Sequence, residues 1–545
     1  RMSQPVERAS APDAARKVFD VIVIGAGFAG LYMLHRLRGL GLNVRVLEQG
    51  DDVGGTWFWN RYPGARCDVE SLQYSYSFSE ELEREWFWTE RFASQPEILR
   101  YINYVADKFD LRKDIQFDAR VEALTFQDGA GVWRVTTRDG EEFTSRFVIA
   151  ATGCLSSGKA PDIKGLESFA GQTLFTGRWP KEGADLAGKR ICVIGTGSSA
   201  IQAIPEIAKA AAHLTVFQRT ANFSIPARNA PLTPERVSDW KGNFREHRRR
   251  AREEAITGVI YKFAVKSAQD AAPAERQAEF EDRWRAGGAG FMHAYNDLLL
   301  NEDSNRIAAD FVRDRIRAIV KHPRTAERLC PGDHPIGTKR ICVDSDYFDT
   351  FNRSNVDLVS IKETGGLEVG PDGVQAGGAL YPCDVLVLAT GFDAITGPLL
   401  SMDVRGRDGR SLRDKWNDGP KEYLGLVCAG FPNLLTITGP GSPSVISNVI
   451  VSIEQHVDFI ANLLGHMRAH GYATVDANAA AEEEWMMRVS EIANATLYPK
   501  ANSWYVGANV PGKPRGFMAY IGVAGYRKVC DEIAADDYRG FEFSD

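Results

Sequence analysis

No run in the 545 residues approaches the ~20 unbroken apolar residues that a membrane-spanning helix needs. The N-terminal region also lacks the charged, apolar and small-residue succession of a secretory signal. Both absences lead us to expect a cytoplasmic protein. Arg1 ahead of Met2 reads as an expression remnant, and the Ser/Pro/Ala-rich stretch to Lys17 as a loose tail. Eight cysteines lie between Cys67 and Cys530 with no CxxC or CxxxxC spacing, which excludes dithiol chemistry of the disulfide-reductase kind. Nine histidines include no HExxH, so no metal is expected, and His466 with His470 reads as a surface pair on an amphipathic helix. Excess positive charge is missing too. Lys and Arg number 65 against 72 Asp and Glu, a formal charge of -7, which speaks against a nucleic-acid surface. The one basic run, Arg245 to Arg252, is interleaved with Glu246, Glu253 and Glu254 at helical spacing and reads as a solvated, ion-paired helix.

What the chain does have is glycine in two informative places. Gly25-Ala26-Gly27-Phe28-Ala29-Gly30 follows the apolar run Val21 to Ile24, and Gly195-Thr196-Gly197-Ser198-Ser199-Ala200 follows Ile191 to Ile194. A glycine directly after a buried parallel strand permits a tight turn, a second lets backbone approach a pyrophosphate, and a third lets helix pack on strand. The pyrophosphate then rests on a helix N-terminus. One strand further on, each unit presents the residue that reads the adenosine ribose. Glu48 after Val44 to Leu47 accepts hydrogen bonds from free hydroxyls and suits FAD or NAD. Arg219 and Thr220 after Val216 to Gln218 offer a cation and a hydroxyl to a 2'-phosphate, which favours NADPH over NADH.

The fold class expected is therefore α/β, with two Rossmann-like dinucleotide-binding domains, one for FAD and one for NADPH. The strand Phe147 to Ala150 running into Ala151-Thr152-Gly153 is echoed by Val385 to Leu388 running into Ala389-Thr390-Gly391, which suggests one domain inserted in the other. The stretch from Arg228 to Arg328 is charged, helical and free of glycine-rich turns. The expected division is residues 1–153 and 389–545 for the flavin domain, 154–226 and 332–388 for the nicotinamide domain, and 227–331 for a helical insertion that caps the site.

Gly54-Gly55-Thr56-Trp57-Phe58-Trp59-Asn60-Arg61-Tyr62-Pro63-Gly64-Ala65-Arg66-Cys67-Asp68 resembles the second flavin signature of the type I Baeyer-Villiger monooxygenases. Gly337 to Arg340, Gly439 to Pro443 and Trp504 to Gly512 are further matches, and the resemblance runs from Phe19 to the end. One departure stands out. In the linker fingerprint F-x-G-x-x-x-H-x-x-x-W-[P/D], Phe169, Gly171, Trp179 and Pro180 match, but Phe175 occupies the histidine position. A phenyl ring packs, whereas an imidazole hydrogen-bonds and titrates, so any coupling that the histidine provides between domains is put in question.

The resemblance implies an NADPH-dependent flavoprotein that uses O2, through a C4a-peroxyflavin, to insert one oxygen atom beside a ketone carbonyl, giving an ester or lactone. Sulfide oxidation is implied beside it. It places Arg340 as the catalytic cation and Asp68 as the carboxylate that orients it. Flavin contacts carried over are Phe28, Glu48, Gly55, Thr56, Trp57, Phe58, Trp59, Asp68, Tyr74, Val121 and Val449. Nicotinamide contacts are Arg66, Cys67, Asp68, Thr196, Gly197, Ser198, Ser199, Ala200, Ile201, Gln202, Arg219, Thr220, Lys339, Arg340 and Trp504. The substrate pocket falls to Val69, Cys154, Leu155, Pro443, Ser444, Val445 and Ile446. Competing functions are an N- or S-hydroxylating flavin monooxygenase, an uncoupled NADPH oxidase and a non-catalytic flavin-binding sensor.

Overall fold

Apolar runs buried on both faces decide where the sheets form. The structure is a computed structural model that describes residues 17–158 and 161–545, so the expected loose tail lies outside the described residues. The first strands are β1 (Lys17–Ile24), β2 (Val44–Leu47), β3 (Ile115–Gln116), β4 (Val121–Gln127), β5 (Val132–Thr137) and β6 (Glu142–Ala150). Next come β7 (Gln172–Phe175), β8 (Arg190–Ile194), β9 (His213–Gln218), β10 (Ser224–Pro226), β11 (Cys342–Asp344) and β12 (Val356–Ser360). A small antiparallel sheet of β13 (Glu368–Gly370), β14 (Gly373–Ala376) and β15 (Ala379–Pro382) leads to β16 (Val385–Leu388), β17 (Asp403–Arg405) and β18 (Leu434–Thr436).

Two parallel systems result. In the first, β3, β2, β1 and β6 pair in that order, all parallel, and β18 adds to the second half of β6. The first half of β6 instead pairs antiparallel with β5, which continues to β4 and β17. Residues Val21, Ile22, Val23, Val148, Ile149 and Ala150 are fully buried, as a sheet covered on both faces requires. The second system has the order β12-β9-β8-β16-β7, every pair parallel. The two Ala-Thr-Gly strand ends, after β6 and β16, run side by side as linkers: Ile395 N–H donates to Cys154 O at 2.8 Å and Asp393 N–H to Ser157 O at 3.0 Å.

The region between the two halves of the second sheet is helical, with helices Pro234–Glu253, Pro273–Ala286, Glu302–Ile319 and Pro323–Leu329. Their starts are written in the sequence. Three open on proline at the first position, where the missing N–H costs nothing, and Thr233 and Asn301 cap their helices with side-chain oxygens. Phe280, Trp284, Phe291 and Phe311 pack against one another and join the apolar core of the second sheet.

The basic run corrects the expectation of a wholly solvated helix. Arg249 does pair with Glu246, Glu253 and Glu254 on the surface. Arg248, however, is only 5% exposed. It donates through Nε to Glu83 at 2.6 Å, through Nη1 to Gln73 O at 3.1 Å and through Nη2 to Ser75 Oγ at 2.7 Å. The cause is tertiary: a carboxylate far back in the chain receives the cation, and only full pairing makes its burial tolerable. Helix Pro234–Glu253 is thereby fastened to the first half of the molecule. Among the described residues no helix is long and apolar enough to cross a membrane, and no cluster of His, Cys, Asp and Glu could hold a metal ion.

Candidate active site

The first glycine turn is held shut by its own neighbours. Gly25 has φ +105°, and a Cβ there would lie 2.4 Å from the Ala151 carbonyl oxygen, so only glycine fits. Gly30 is as tightly constrained, its added Cβ falling 1.8 Å from Gly25 O. Gly27 caps helix Phe28–Gly39 and faces Gly55, whose Cα would sit 3.3 Å from a Cβ at Gly27. Two glycines meet at the start of this helix, the arrangement a pyrophosphate needs. Glu48, 4% exposed at the end of β2, receives Ala26 N–H and Gly50 N–H at 2.7 Å each. Burial pushes its carboxyl up from the ordinary range while these backbone donors pull it down.

Around this turn stand the aromatic residues of the second flavin signature. Thr56–Trp59 forms a short helix after Gly55. Trp57 Nε1 donates to Tyr74 Oη at 3.1 Å, Tyr74 meets the Phe28 ring edge-on at 5.6 Å, and Phe58 packs edge-on against Trp59. Val121 begins β4 beside a bulge, buried. Val449 opens helix Val449–His470, whose N-terminus is capped by the Asn448 side chain.

At the second turn, Gly195 has φ +120° and a Cβ there would lie 2.3 Å from Ala389 O, the same requirement as at Gly25. Gly197 differs, since a Cβ there would meet nothing within 4 Å. Thr196 Oγ1 donates to Thr220 O at 2.7 Å, Ser199 Oγ lies 3.2 Å from Thr176 Oγ1 and Ser198 Oγ 3.4 Å from Cys342 Sγ. Ala200 and Ile201 are core residues of the helix. The Gln202 amide ties the two halves together, donating to Arg66 O at 2.9 Å and accepting from Tyr62 Oη at 2.6 Å. Arg219 is exposed at the end of β9, and Lys339 is half-buried near Asp333 and Lys362. Among the described residues neither side chain has a hydrogen bond or an ion pair. Burial lowers the Lys339 amine, with Asp333 opposing.

Between the turns lies Arg340, just ahead of β11. Its guanidinium is engaged on several sides. Nε donates to Asp68 Oδ2 at 2.8 Å and Nη2 to Asp68 Oδ1 at 3.0 Å, a bidentate pair, while Nη1 donates to Val445 O at 2.8 Å. The Tyr505 phenol lies beside it, pushed up to about 12 by burial against the pull of the arginine charge. Burial alone would raise the Asp68 carboxyl, but the charge and hydrogen bonds of Arg340 outweigh it and hold it below its ordinary range. Asp68 in turn raises the guanidinium further, so this group is a permanent cation. The side chains of Arg340 and Asp68 retain 31% and 25% exposure, so the pair is fixed without being sealed off. Adjacent Cys67 is buried and its thiol pushed up, which keeps it protonated.

The residues expected at the pocket converge from separate chain segments. Cys154, Leu155, Val445, Ile446 and Trp504 share one apolar cluster with Ile395, Tyr505 and Phe517. Pro443 and Ser444 are buried beside them, and Ser444, at φ +39°, has a buried Oγ with no hydrogen-bond partner among the described residues. Val69 belongs to the large core of the first sheet, together with Cys67 and Tyr74. Tyr505 is the contact that sequence reasoning passed over, although it neighbours Trp504 in a matched motif. Phe175 ends edge strand β7 and is 37% exposed.

Two glycine turns at the carboxyl ends of two parallel sheets, one beside a buried acid and the other beside an exposed arginine, define a two-dinucleotide α/β oxidoreductase. The family description "Pyridine nucleotide-disulphide oxidoreductase" matches residues 22–268. The chain is 40% identical to "Baeyer-Villiger monooxygenase" of Pseudooceanicola batsensis, over 95% of each chain. It is 42% identical to "Phenazine N-monooxygenase PhzNO1" of Lysobacter antibioticus, over 96% of each chain. A crystal structure of OTEMO in complex with FAD and NADP is similar with a TM-score of 0.93 and 40% identity, covering 97% of this chain and 100% of that one. The chain belongs to the Baeyer-Villiger monooxygenase family.

Proposed function

We propose that this chain is an FAD- and NADPH-dependent monooxygenase that inserts one atom of O2 next to a ketone carbonyl and releases an ester or lactone. The observation that carries the reading is Arg340, a permanent cation clamped bidentately by Asp68 and reaching the apolar cluster through Val445 O. Bound FAD, reduced by NADPH, supplies the activation of oxygen. The chain supplies the rest. Gly25, Gly27, Gly30, Gly55 and Glu48 hold the flavin's dinucleotide end, with Thr56 to Trp59, Tyr74, Phe28, Val121 and Val449 around it. Arg219, Thr220 and Lys339 take the 2'-phosphate, with Thr196 to Gln202, Arg66 and Trp504 along the rest of the nicotinamide cofactor. Arg340 stabilises negative charge that builds on oxygen as the ketone is attacked, and Asp68 fixes the direction of its donors. Cys154, Leu155, Val445 and Ile446 present small or branched apolar surface to the ketone and exclude water.

The same reading keeps the domain division at 1–153 and 389–545, 154–226 and 332–388, and 227–331. It is supported by the first sheet drawing strands only from Lys17–Ala150 and Asp403–Thr436. A cytoplasmic location is supported by eight cysteines that are all free thiols.

A second reading, N-oxidation of a heteroaromatic base, is favoured by the likeness to the phenazine N-monooxygenase. One assay decides. With NADPH, purified protein is offered cyclic, aryl and linear ketones, organic sulfides and phenazine, and ester, sulfoxide, N-oxide and hydrogen peroxide are scored. Ester formation from a ketone is expected, with sulfoxide as a side activity. N-oxide without ester would replace the first reading by the second, and peroxide alone would make the protein an uncoupled oxidase.

A further inference from the structure

His456 is fully buried inside helix Val449–His470, and nothing assigned so far uses it. Its two nitrogens have defined roles. The Thr438 N–H can only donate, and it reaches Nδ1 at 2.9 Å, so Nδ1 is the acceptor and the ring proton sits on Nε2. Nε2 lies 2.8 Å from Tyr526 Oη, whose own proton goes to Leu424 O. The chain Leu424 O, Tyr526 Oη, His456 and Thr438 N is thus oriented end to end. Burial lowers the imidazole to about 3, so the ring stays neutral and keeps this tautomer.

Thr438 stands where the chain leaves β18. It adopts φ +56°, a conformation that β-branched residues rarely enter, and its carbonyl and hydroxyl both meet Cys154 Sγ at 3.5 Å. From Thr438 the loop passes Gly441, held by Trp485 Nε1 and Met518 O, to Val445, whose carbonyl receives Arg340, and then enters the helix that carries His456. The imidazole therefore closes residues 438–456 into a ring with Val445 on it.

We infer that His456 is a positioning residue for the oxygen-transfer step: by pinning Thr438 N–H it sets the loop that places the Val445 carbonyl on Arg340 and Cys154 at the pocket. The inference rests on the role proposed for Arg340. Tyr526 belongs to the device: its own proton goes to Leu424 O, so its hydroxyl accepts the buried Nε2–H that the Thr438 contact leaves on the ring.

The test compares flavin-loaded His456→Leu, His456→Asn and Tyr526→Phe with wild type and Arg340→Ala. For each, flavin reduction by NADPH is followed by rapid mixing, and ester formed per NADPH is scored against peroxide. His456→Leu is expected to keep reduction within about twofold of wild type while ester per NADPH falls about tenfold or more and peroxide rises to match. Asn retains an acceptor near Nδ1 and should restore most of the ester yield. Full coupling in His456→Leu, or an Asn variant no better than Leu, overturns the inference. If His456→Leu does not retain flavin, Tyr526→Phe decides: lowered ester per NADPH with unchanged reduction supports it, and unchanged coupling overturns it. Retained ester formation in Arg340→Ala would instead defeat the parent role of Arg340, an outcome read separately from the histidine series.

Discussion

The two glycine turns are built alike and finished differently. At the first, Gly27 faces Gly55 closely, and Glu48 is buried with two backbone N–H donors already on its carboxylate. At the second, Gly197 faces open space, Arg219 is exposed, and Lys339 has no ion-pair partner among the described residues. The first is braced by its own backbone contacts, which suits a cofactor that stays. The second leaves two cations without protein partners among the described residues, which suits the exchangeable nicotinamide cofactor proposed for it. Binding to a finished site loses less ordering entropy, and an unpaired cation has no competing partner to release.

Substitutions at equivalent glycines should expose that contrast most strongly. Gly27→Ala sets a methyl 3.3 Å from Gly55 Cα, closer than an ordinary contact, so purified protein should contain less FAD and melt below wild type. Gly197→Ala meets no protein atom within 4 Å and should keep flavin content and melting temperature, with any loss confined to NADPH binding. Flavin absorbance and thermal denaturation measure both. Equal damage at the two positions would break the comparison.

Combining Arg219→Ala with Lys339→Ala should raise the KM for NADPH by about 100-fold, two charge-assisted contacts, and leave that for NADH within about twofold. Steady-state kinetics with both nucleotides measure it, and equal losses would remove the phosphate role. Glu83→Ala strands Arg248 as a buried, unpaired charge beneath helix Pro234–Glu253, and urea denaturation should show a loss of about 3–5 kcal/mol.

The smallest effect concerns pH. Arg340 holds the Asp68 carboxyl below its ordinary range in the folded protein. The contribution of the pair to stability is then complete above the unfolded value of about 3.9 and is lost as pH falls through the lower folded value. Urea denaturation of Asp68→Asn and wild type should differ by a constant amount from about pH 8 to pH 5 and converge below about pH 4. A gap that widened on acidification would contradict the sign.

Much of this was legible in the chain. Val21 to Ile24 and Ile191 to Ile194 are apolar on both faces and end in glycine, a local pattern that needs no tertiary information to read. The Glu48 and Arg219 positions follow at nearly the same distance along each unit. The Arg340 and Asp68 pair came from resemblance alone, because residues so far apart carry no local sign of meeting. The pocket cluster was opaque in the same way: Cys154, Val445 and Trp504 come from irregular segments with no periodicity to follow. Arg248 shows the limit most plainly. Charge spacing along its helix marks a solvated face, and only the fold reveals that Glu83 and Gln73 stand behind it.

The role proposed for Arg340 is oxygen transfer rather than cofactor reduction. Rapid mixing of flavin-loaded Arg340→Ala with NADPH, O2 and an accepted ketone tests this directly. Flavin reduction should stay within about tenfold of wild type while ester yield falls about 100-fold or more, the usual cost of removing a charge-stabilising donor. An ester yield equal to wild type from the folded variant would contradict it.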